Sequence, residues 1–567
     1  MKRIILSFVL AFLWCGLSAQ TMDVFQRVEQ QYPEMPVGLL QAIAFTNTQC
    51  HHLTDADYVV EADDPSAMPR AYGMMGLVRD GKGYFNANLP KIAALSGYSE
   101  EDILADPEVN VSAYAKALLL VAKRMQVKMD SAESYAPAII ELSELPLRDQ
   151  KDQLPMMMML YSVYAYLGSD LEELFGEDYA ILSASALSVS KETDYPYALW
   201  VPAPECNYEE RTKPVSAVVI HYTEGSYAGC ISWFQNCDSE VSAHYVIRSF
   251  DGQVTQMVRE RDKAWHARSA NGYSIGIEHE AYGDIQSFFT DAMYASSANL
   301  VRDICSRYET IDGHRTFYFD TLDNGTALNS GLHDLGGEEA CIKIRGHQHF
   351  PDQTHTDPGP YWNWNYYYKL INEGSQVIHL GGNGVESGSI QHVNYGDDER
   401  RIWVIESAEN TAITLSFNKF NLEPDFDFLW IYDGNSVYAP KIGRWNTQSP
   451  GIVTSSGNAI CIEFRSDCAT TGEGWRARWM VNHTDTSEEE QAFIKVFPIP
   501  SDDRVTISCP DMARYQMRVV DALGRVMLQT AFRFSVDLGI SNWPQGVYVI
   551  QCKRVDDGAV FTSRIIR

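Results

Sequence analysis

Ala217-Val218-Val219-Ile220-His221-Tyr222-Thr223-Glu224-Gly225 is the stretch that decides how the chain is read. Four apolar residues in a row, three of them β-branched, predict a strand buried on both faces. His221 stands directly after that run, where a strand end would fix its direction before any ligand arrives. Downstream, Ser242 to Phe250 leads into the turn Asp251-Gly252, and Val254 resumes as a strand, so a hairpin is expected. Leu300 to Tyr308 and Tyr366 to Ile371 carry helical spacing. Residues 207–375 are therefore expected to form an α/β layer with a mixed central sheet and flanking helices.

Outward from this block the character of the chain changes twice. Residues 20–180 read as all-α, with apolar helical patches at Val37–Phe45, Val109–Met125 and Gln153–Leu167. The four methionines at 156–159 suit core filling better than a site. Between 181 and 206, Ser, Thr and Pro become frequent, which predicts an extended linker. Beyond about 376, strand-like runs alternate with Gly, Asp and Asn turns, the pattern of β-sandwiches. The acidic, polar stretch Thr484–Gln491 predicts a linker at 483–492 between an all-β sandwich at 380–482 and another at 493–567. At 567 residues the chain is expected to be multidomain.

A formal net charge of −30 argues against nucleic acid and anionic lipid as partners. Met1-Lys2-Arg3, the apolar run Ile4–Trp14 and the small residues Ser18 and Ala19 read as an export signal spanning 1–19. Cys15 follows Trp14 rather than the small residue of a lipoprotein signal, and no later stretch is long enough for a transmembrane segment. Ten of the eleven cysteines remain after cleavage, a number that permits disulfides in an exported chain. Cys230 with Cys237, Cys305 with Cys341, Cys461 with Cys468, and Cys509 with Cys552 each share one expected domain.

The chemistry lies in three dispersed residues: His221, His347 in RGHQHF, and Asp357 in HTDPGP. Two imidazoles and one carboxylate make a catalytic zinc set with a fourth position left for water. Taken one at a time, each has a bland explanation, since an Asp before Pro-Gly is ordinarily a turn starter. Together, VVIHYTEG, VSAHYVIRSFDG, KAWHA, NGYSIGIEHE and GHQHF with HTDPGPYWNW resemble the type 2 N-acetylmuramoyl-L-alanine amidases, relatives of the peptidoglycan-recognition proteins. The resemblance implies that His221, His347 and Asp357 hold Zn2+, that Glu278 is the catalytic acid/base, and that His244, Trp265, His266 and Asn271 bind substrate. It implies hydrolysis of the amide between N-acetylmuramoyl and L-alanine, with peptidoglycan or muropeptides as partners. Glu280 remains a rival to Glu278, because the two would share a face of a strand. His355 stands where relatives carry Lys, so a catalytic role as oxyanion donor would depend on its protonation. A non-catalytic recognition protein and a surface adhesin are the alternative functions.

Three further resemblances complete the reading. GLLQAIAFTNT, AYGMMGL and ILADPEVNVSAYAKAL are similar to lysozyme-like lytic transglycosylases, with Asn47 and Thr48 where that family has its catalytic Glu-Ser, which implies a non-catalytic domain. VNYGDDERRIWVIES, FNKFNLEPDFDFLWIYDG and CIEFRSDCATTGEGWRARW resemble a CUB domain, implying Ca2+ at Glu423, Asp427 and Asp467. VFPIPSDDRVTI, VVDALGRVM, LGISNWPQGVYVIQ and the terminal SRIIR resemble a type 9 secretion sorting domain. That implies the type 9 secretion machinery as a partner and an extracellular or outer-membrane-surface location.

Overall fold

The computed structural model describes residues 19–58, 64, 66–183, 193–283, 285–319, 326–382, 384–407, 411–482, 494–498, 500–501, 503–509, 513–556, 558 and 560–567. The expected export signal lies outside the described residues except for Ala19, and the expected linker at 483–492 lies wholly outside them. Among the described residues, no helix is long and apolar enough to cross a membrane.

The chain divides into two compact units, residues 1–375 with 467–469, and residues 376–466 with 470–567. The first begins with seven main helices: α1 (Ala19–Gln31), α2 (Leu39–Thr48), α3 (Asn88–Ser96), α4 (Glu100–Ala105), α5 (Pro107–Arg124), α6 (Ala136–Leu142) and α7 (Gln153–Leu167). The α5 helix shows why these segments coil. Asp106 caps the amides of Glu108 and Val109, Pro107 occupies the first turn, and Lys123 and Arg124 close the last. A short hairpin, Ala71–Tyr72 with Leu77–Val78, packs among the helices, and buried Asn110 accepts the Met75 amide at 2.9 Å to hold it.

The α/β layer follows as a six-stranded sheet of β1 (Leu199–Trp200), β2 (Ala217–Tyr222), β3 (Tyr245–Ile247), β4 (Val254–Gln256), β5 (Ser274–His279) and β6 (Ile344–Gly346). The strand order is β6-β2-β5-β3-β4-β1. All neighbours are parallel except the β3/β4 hairpin, so the sheet is mixed, as expected. It is flanked by α8 (Tyr227–Phe234), α9 (Asp291–Arg307) and α10 (Trp364–Ile371).

The boundary expected at 181–206 does not separate two cores. Residues 184–192 lie outside the described residues, and Leu199–Trp200 is already a strand of the sheet. One continuous apolar core runs from Leu39 and Leu40 of α2 through Tyr161 of α7 to Tyr227, Ile231 and Trp233 of α8. Arg248, fully buried, ties the halves together. Its guanidinium grips Asp251 at 2.6 and 2.7 Å, donates to the Leu182 carbonyl at 2.9 Å, and stacks 4.8 Å from the Tyr161 ring. The sequence signal was misleading because local composition marks a change of secondary structure, not whether two faces bury each other.

Disulfides also differ from the simplest expectation. Cys206 bonds Cys237, and Cys341 bonds Cys468, both within the first unit. Cys230 and Cys305, expected to pair with Cys237 and Cys341, carry free thiols. Cys206 meets Cys237 because Asn207 locks their two turns together, its amide donating to the Phe234 and Asn236 carbonyls at 2.9 and 2.8 Å. Cys230 points inward from α8 and is buried.

The second unit holds two separate sandwich cores, as expected. One packs a five-stranded against a four-stranded sheet around Leu429, Ile462, Trp475 and Trp479. Within it, buried Glu463 accepts from Arg400, Arg465 and Tyr432 at 2.8, 3.0 and 2.8 Å. The other packs three and four strands around Val505, Met517 and Ile550.

Because α8 is buried against helices upstream of residue 206, a chain starting at residue 207 exposes Ile231, Trp233 and Phe234. Each such side chain is worth roughly 1.5–3 kcal/mol of burial. The truncated chain is expected to aggregate, or to melt well below the full chain when followed by circular dichroism. Equal melting temperatures would contradict a shared core.

Candidate metal centre and cleft

The functional residues gather at the carboxyl ends of the parallel strands, where open α/β sheets place their ligand sites. His221 near the end of β2 and Glu278 near the end of β5 are register partners, so both side chains leave the same face. His347 follows β6 directly. Buried His279 fixes β2 against its neighbours, one ring nitrogen bonding the His221 carbonyl and the other the Ser297 hydroxyl, each at 2.8 Å. These side chains surround a cleft of about 270 Å³.

Asp357 sits between the two histidines. Its Oδ2 lies 2.8 Å from His221 Nδ1, and its Oδ1 lies 2.9 Å from His347 Nδ1. The donor atoms of all three residues fall within 4.8 Å of one another, and all three are buried.

The outer nitrogens assign the tautomers. Gln353 donates its amide to the Ala267 and Pro351 carbonyls, which turns its Oε1 toward His347 Nε2 at 2.6 Å. His347 Nε2 therefore donates to that oxygen, which leaves Nδ1 as the atom facing Asp357. His266 approaches the Ser274 hydroxyl with Nε2 at 3.4 Å and presents Nδ1 to His221 Nε2 at 3.0 Å. His221 Nε2 then donates, and its Nδ1 is the atom that faces Asp357. Burial pushes His221 down to about 4, so it stays neutral. Burial raises the Asp357 carboxyl, but His347 and His221 beside it outweigh that and hold it below the usual range. Two imidazole nitrogens and a carboxylate that converge in this way form a donor set that a divalent cation takes up by displacing any proton held between them. Two imidazoles and one carboxylate with a fourth position open suit zinc, and outer partners that fix ring orientation are the usual companions of such ligands.

Glu278 and Glu280 part company in the structure. The β5 strand ends at His279, so the shared face expected for the pair does not extend to Glu280. Glu280 accepts the amides of Tyr227 and Ser249, each at 2.8 Å, capping α8 and bracing the β3/β4 turn. Glu278 lines the cleft, and its Oε2 is buried without a hydrogen-bond partner. Burial, followed by the nearby Asp357 and Glu224, pushes its carboxyl well above the usual range.

Trp265, His266, Asn271 and His355 all line the cleft. Asn271 spends its side-chain oxygen on the amides of His266 and Ala267, at 2.9 and 2.6 Å. The His266 ring lies over Gly276, where a Cβ would come within 2.6 Å of it. His355 sits 5.2 Å from the His347 ring, and burial lowers its pKa, so it offers a neutral N–H rather than a charge. His244 is fully buried and is not among the residues lining the cleft. Its Nδ1 accepts the Gly276 amide at 3.0 Å, and its Nε2 lies 2.9 Å from the Arg211 guanidinium and 3.1 Å from the Asp262 carbonyl, the contacts of a brace.

Gln353 was not anticipated from the sequence. Its only signal is its place between two expected ligands, four residues before Asp357. In the helical segment, Asn47 donates to the Met75 carbonyl at 2.9 Å, while Thr48 donates to Met74 and Ala44. In the second unit, carboxylate oxygens of Glu423 and Asp427 lie within 4.8 Å of each other, and Tyr395 donates to Asp427. Asp467 accepts the Ala469 amide at 3.0 Å.

Comparison with known proteins accords with this geometry. Residues 211–360 match the family described as N-acetylmuramoyl-L-alanine amidase. N-acetylmuramoyl-L-alanine amidase A of Achromobacter lyticus is 40% identical over 187 residues, covering 32% of this chain and 97% of that protein. The chain belongs to the N-acetylmuramoyl-L-alanine amidase family. Beyond the amidase region, residues 384–479 match the CUB domain and residues 495–566 the secretion system C-terminal sorting domain. The latter marks the amidase for type 9 secretion to the cell surface or the medium. Porcine cubilin is 31% identical over 97 residues, 16% of this chain and 3% of cubilin, so this chain spans only a small part of that relative. The solved structure of PlyL covers 30% of this chain and 92% of its own at 16% identity, but its TM-score of 0.20 carries no argument.

Glu280 supplies a pH test, since burial raises it to about 7. A carboxyl whose folded pKa lies above its unfolded value of about 4.3 contributes most below that value. That contribution is lost as pH rises toward 7. The stability of the wild-type chain relative to Glu280→Gln is therefore expected to fall between about pH 4.3 and 7 and then level off, as read by urea unfolding. A difference that stays flat across that window would contradict the assignment.

Proposed function

We propose that the chain is a zinc-dependent hydrolase of the amide between N-acetylmuramoyl and L-alanine in peptidoglycan. The observation that carries this is the convergence of two Nδ1 atoms and one carboxylate beside a buried Glu278 whose Oε2 has no hydrogen-bond partner. Family membership supports the bond and the substrate.

His221, His347 and Asp357 would hold the metal. When bound, zinc lowers the pKa of a coordinated water toward about 7 and polarises a carbonyl. The protein's own residues supply the rest. Glu278 takes the proton of the attacking water and returns it to the leaving amine of L-alanine. The raised pKa of its buried carboxyl suits it to holding that proton between the two steps. His355, uncharged, donates a hydrogen bond toward the carbonyl oxygen as negative charge develops there. His266 fixes the His221 tautomer, and Trp265 forms part of the cleft wall that receives the muropeptide.

A recognition role without hydrolysis is less well supported, because the donor set is complete and the carboxyl needed for proton transfer is in place. For the helical segment we propose positioning rather than glycan cleavage, because Asn47 cannot serve as a general acid and is tied to the Met75 carbonyl. The CUB region is proposed to take Ca2+ through the hard oxygens of Glu423, Asp427 and Asp467.

Mass spectrometry of muropeptides after incubation with zinc-loaded and chelated protein tests the reaction. Free stem peptides are expected only with metal. Release in the presence of chelator, or cleavage at another bond, would overturn the proposal. His221→Ala and Asp357→Ala are expected to lose metal and activity together. Glu278→Gln is expected to keep its zinc while kcat falls by about 10²–10⁴-fold.

A further inference from the structure

We infer that Ala67 and Met68, contributed by the helical segment and not by the amidase sheet, are a substrate-contacting wall of the catalytic cleft; the inference rests on the amidase reading above. Both residues line the same cleft as His221, Glu278 and Asp357. They lie outside the stretch that matches the amidase family, residues 211–360, so the wall is an addition this chain makes to that site.

The wall is built, not incidental. The Trp233 indole donates to the Ser66 carbonyl at 3.0 Å, pinning the segment to α8. The Lys82 ammonium donates to the carbonyls of Asp64 and Ala67 at 2.6 and 2.9 Å. The Asp64 carboxylate accepts the Ser66 amide and hydroxyl at 2.8 and 2.5 Å, closing a tight turn. Met68 then reaches over Gly225, four residues past His221. A Cβ at Gly225 would lie 1.9 Å from the Met68 methyl carbon, so the Met68 side chain rests directly against the Gly225 backbone.

The chemistry of the wall indicates what it receives. Glu224, Glu240, Glu278, Asp357 and Arg268 make much of the cleft charged. Ala67 and Met68 instead continue an apolar strip with Trp233 and Phe234 of α8. An amide flanked by a lactyl group on one side and alanine on the other carries a methyl on each. The apolar strip suits those methyls, while the charged groups lie around the scissile bond.

The test uses the full-length, zinc-loaded protein with N-acetylmuramoyl-L-alanyl-D-isoglutamine as probe. Met68→Ala is expected to raise KM about tenfold while kcat stays within about twofold, the scale expected for losing apolar contact in a pocket. Met68→Leu is expected to recover most of the loss. Lys82→Met, which frees the segment from outside the cleft, is expected to raise KM in the same sense. An unchanged KM in Met68→Ala would overturn the inference. So would a drop in kcat that tracks a lower melting temperature in both the Met68→Ala and Lys82→Met chains, since packing alone would then account for it. If the wild-type protein fails to cleave the probe, the amidase reading itself fails, which is a separate outcome.

Discussion

Asp357 presents one oxygen to each of two imidazole Nδ1 atoms in the wall of the cleft. Much of the first unit can be understood as the means of holding that contact. Parallel strands deliver His221 and His347 from adjacent positions, since β6 and β2 are neighbours in the sheet. Gln353 and His266 then turn each ring so that its proton lies on the far nitrogen. A set of two imidazoles and one carboxylate carries a single negative charge and would suit a dication. Burial of the three side chains would strengthen such binding, because less solvent competes for the ligands.

The second consequence of burial is the division of labour between two carboxyls only two residues apart. Glu280 turns to the backbone and is absorbed into the structure, capping α8. Glu278 stays unpartnered at the cleft. A raised pKa is common to both, so titration behaviour alone would not tell them apart. Hydrogen-bond partners do. The helical segment follows a similar logic: it shares a core with α8, and the shared packing carries Met68 to the edge of the catalytic site.

Much of this was legible in the sequence. The strand before His221, the helix at Gln153–Leu167 and the Val254 hairpin follow from periodicity and turn chemistry, and the structure reproduces them. His221, His347 and Asp357 could be named because the motifs around them resemble those of the type 2 amidases; taken singly, each had a bland explanation. Contacts that depend on tertiary packing were not legible. Gln353 has no composition signal, and Cys206 finds Cys237 only because Asn207 joins their turns. His244 matches a family position by motif, and its ring nitrogens meet the Gly276 amide, the Arg211 guanidinium and the Asp262 carbonyl, contacts that only the fold reveals. The merging of helices and sheet into one core is invisible to local pattern, because a linker-like composition says nothing about which surfaces meet across it.

The sorting domain directs the chain to the extracellular or cell-surface side, so the proposed metal would have to be retained there. Retention depends on the arrangement around Asp357. Anomalous diffraction at the zinc edge from crystals of the full-length protein tests that arrangement most directly. The account predicts one peak bound by Nδ1 of His221, Nδ1 of His347 and an oxygen of Asp357, at about 2.0–2.2 Å. A peak ligated through Nε2 instead, or no peak between these three side chains in zinc-soaked crystals, would contradict it.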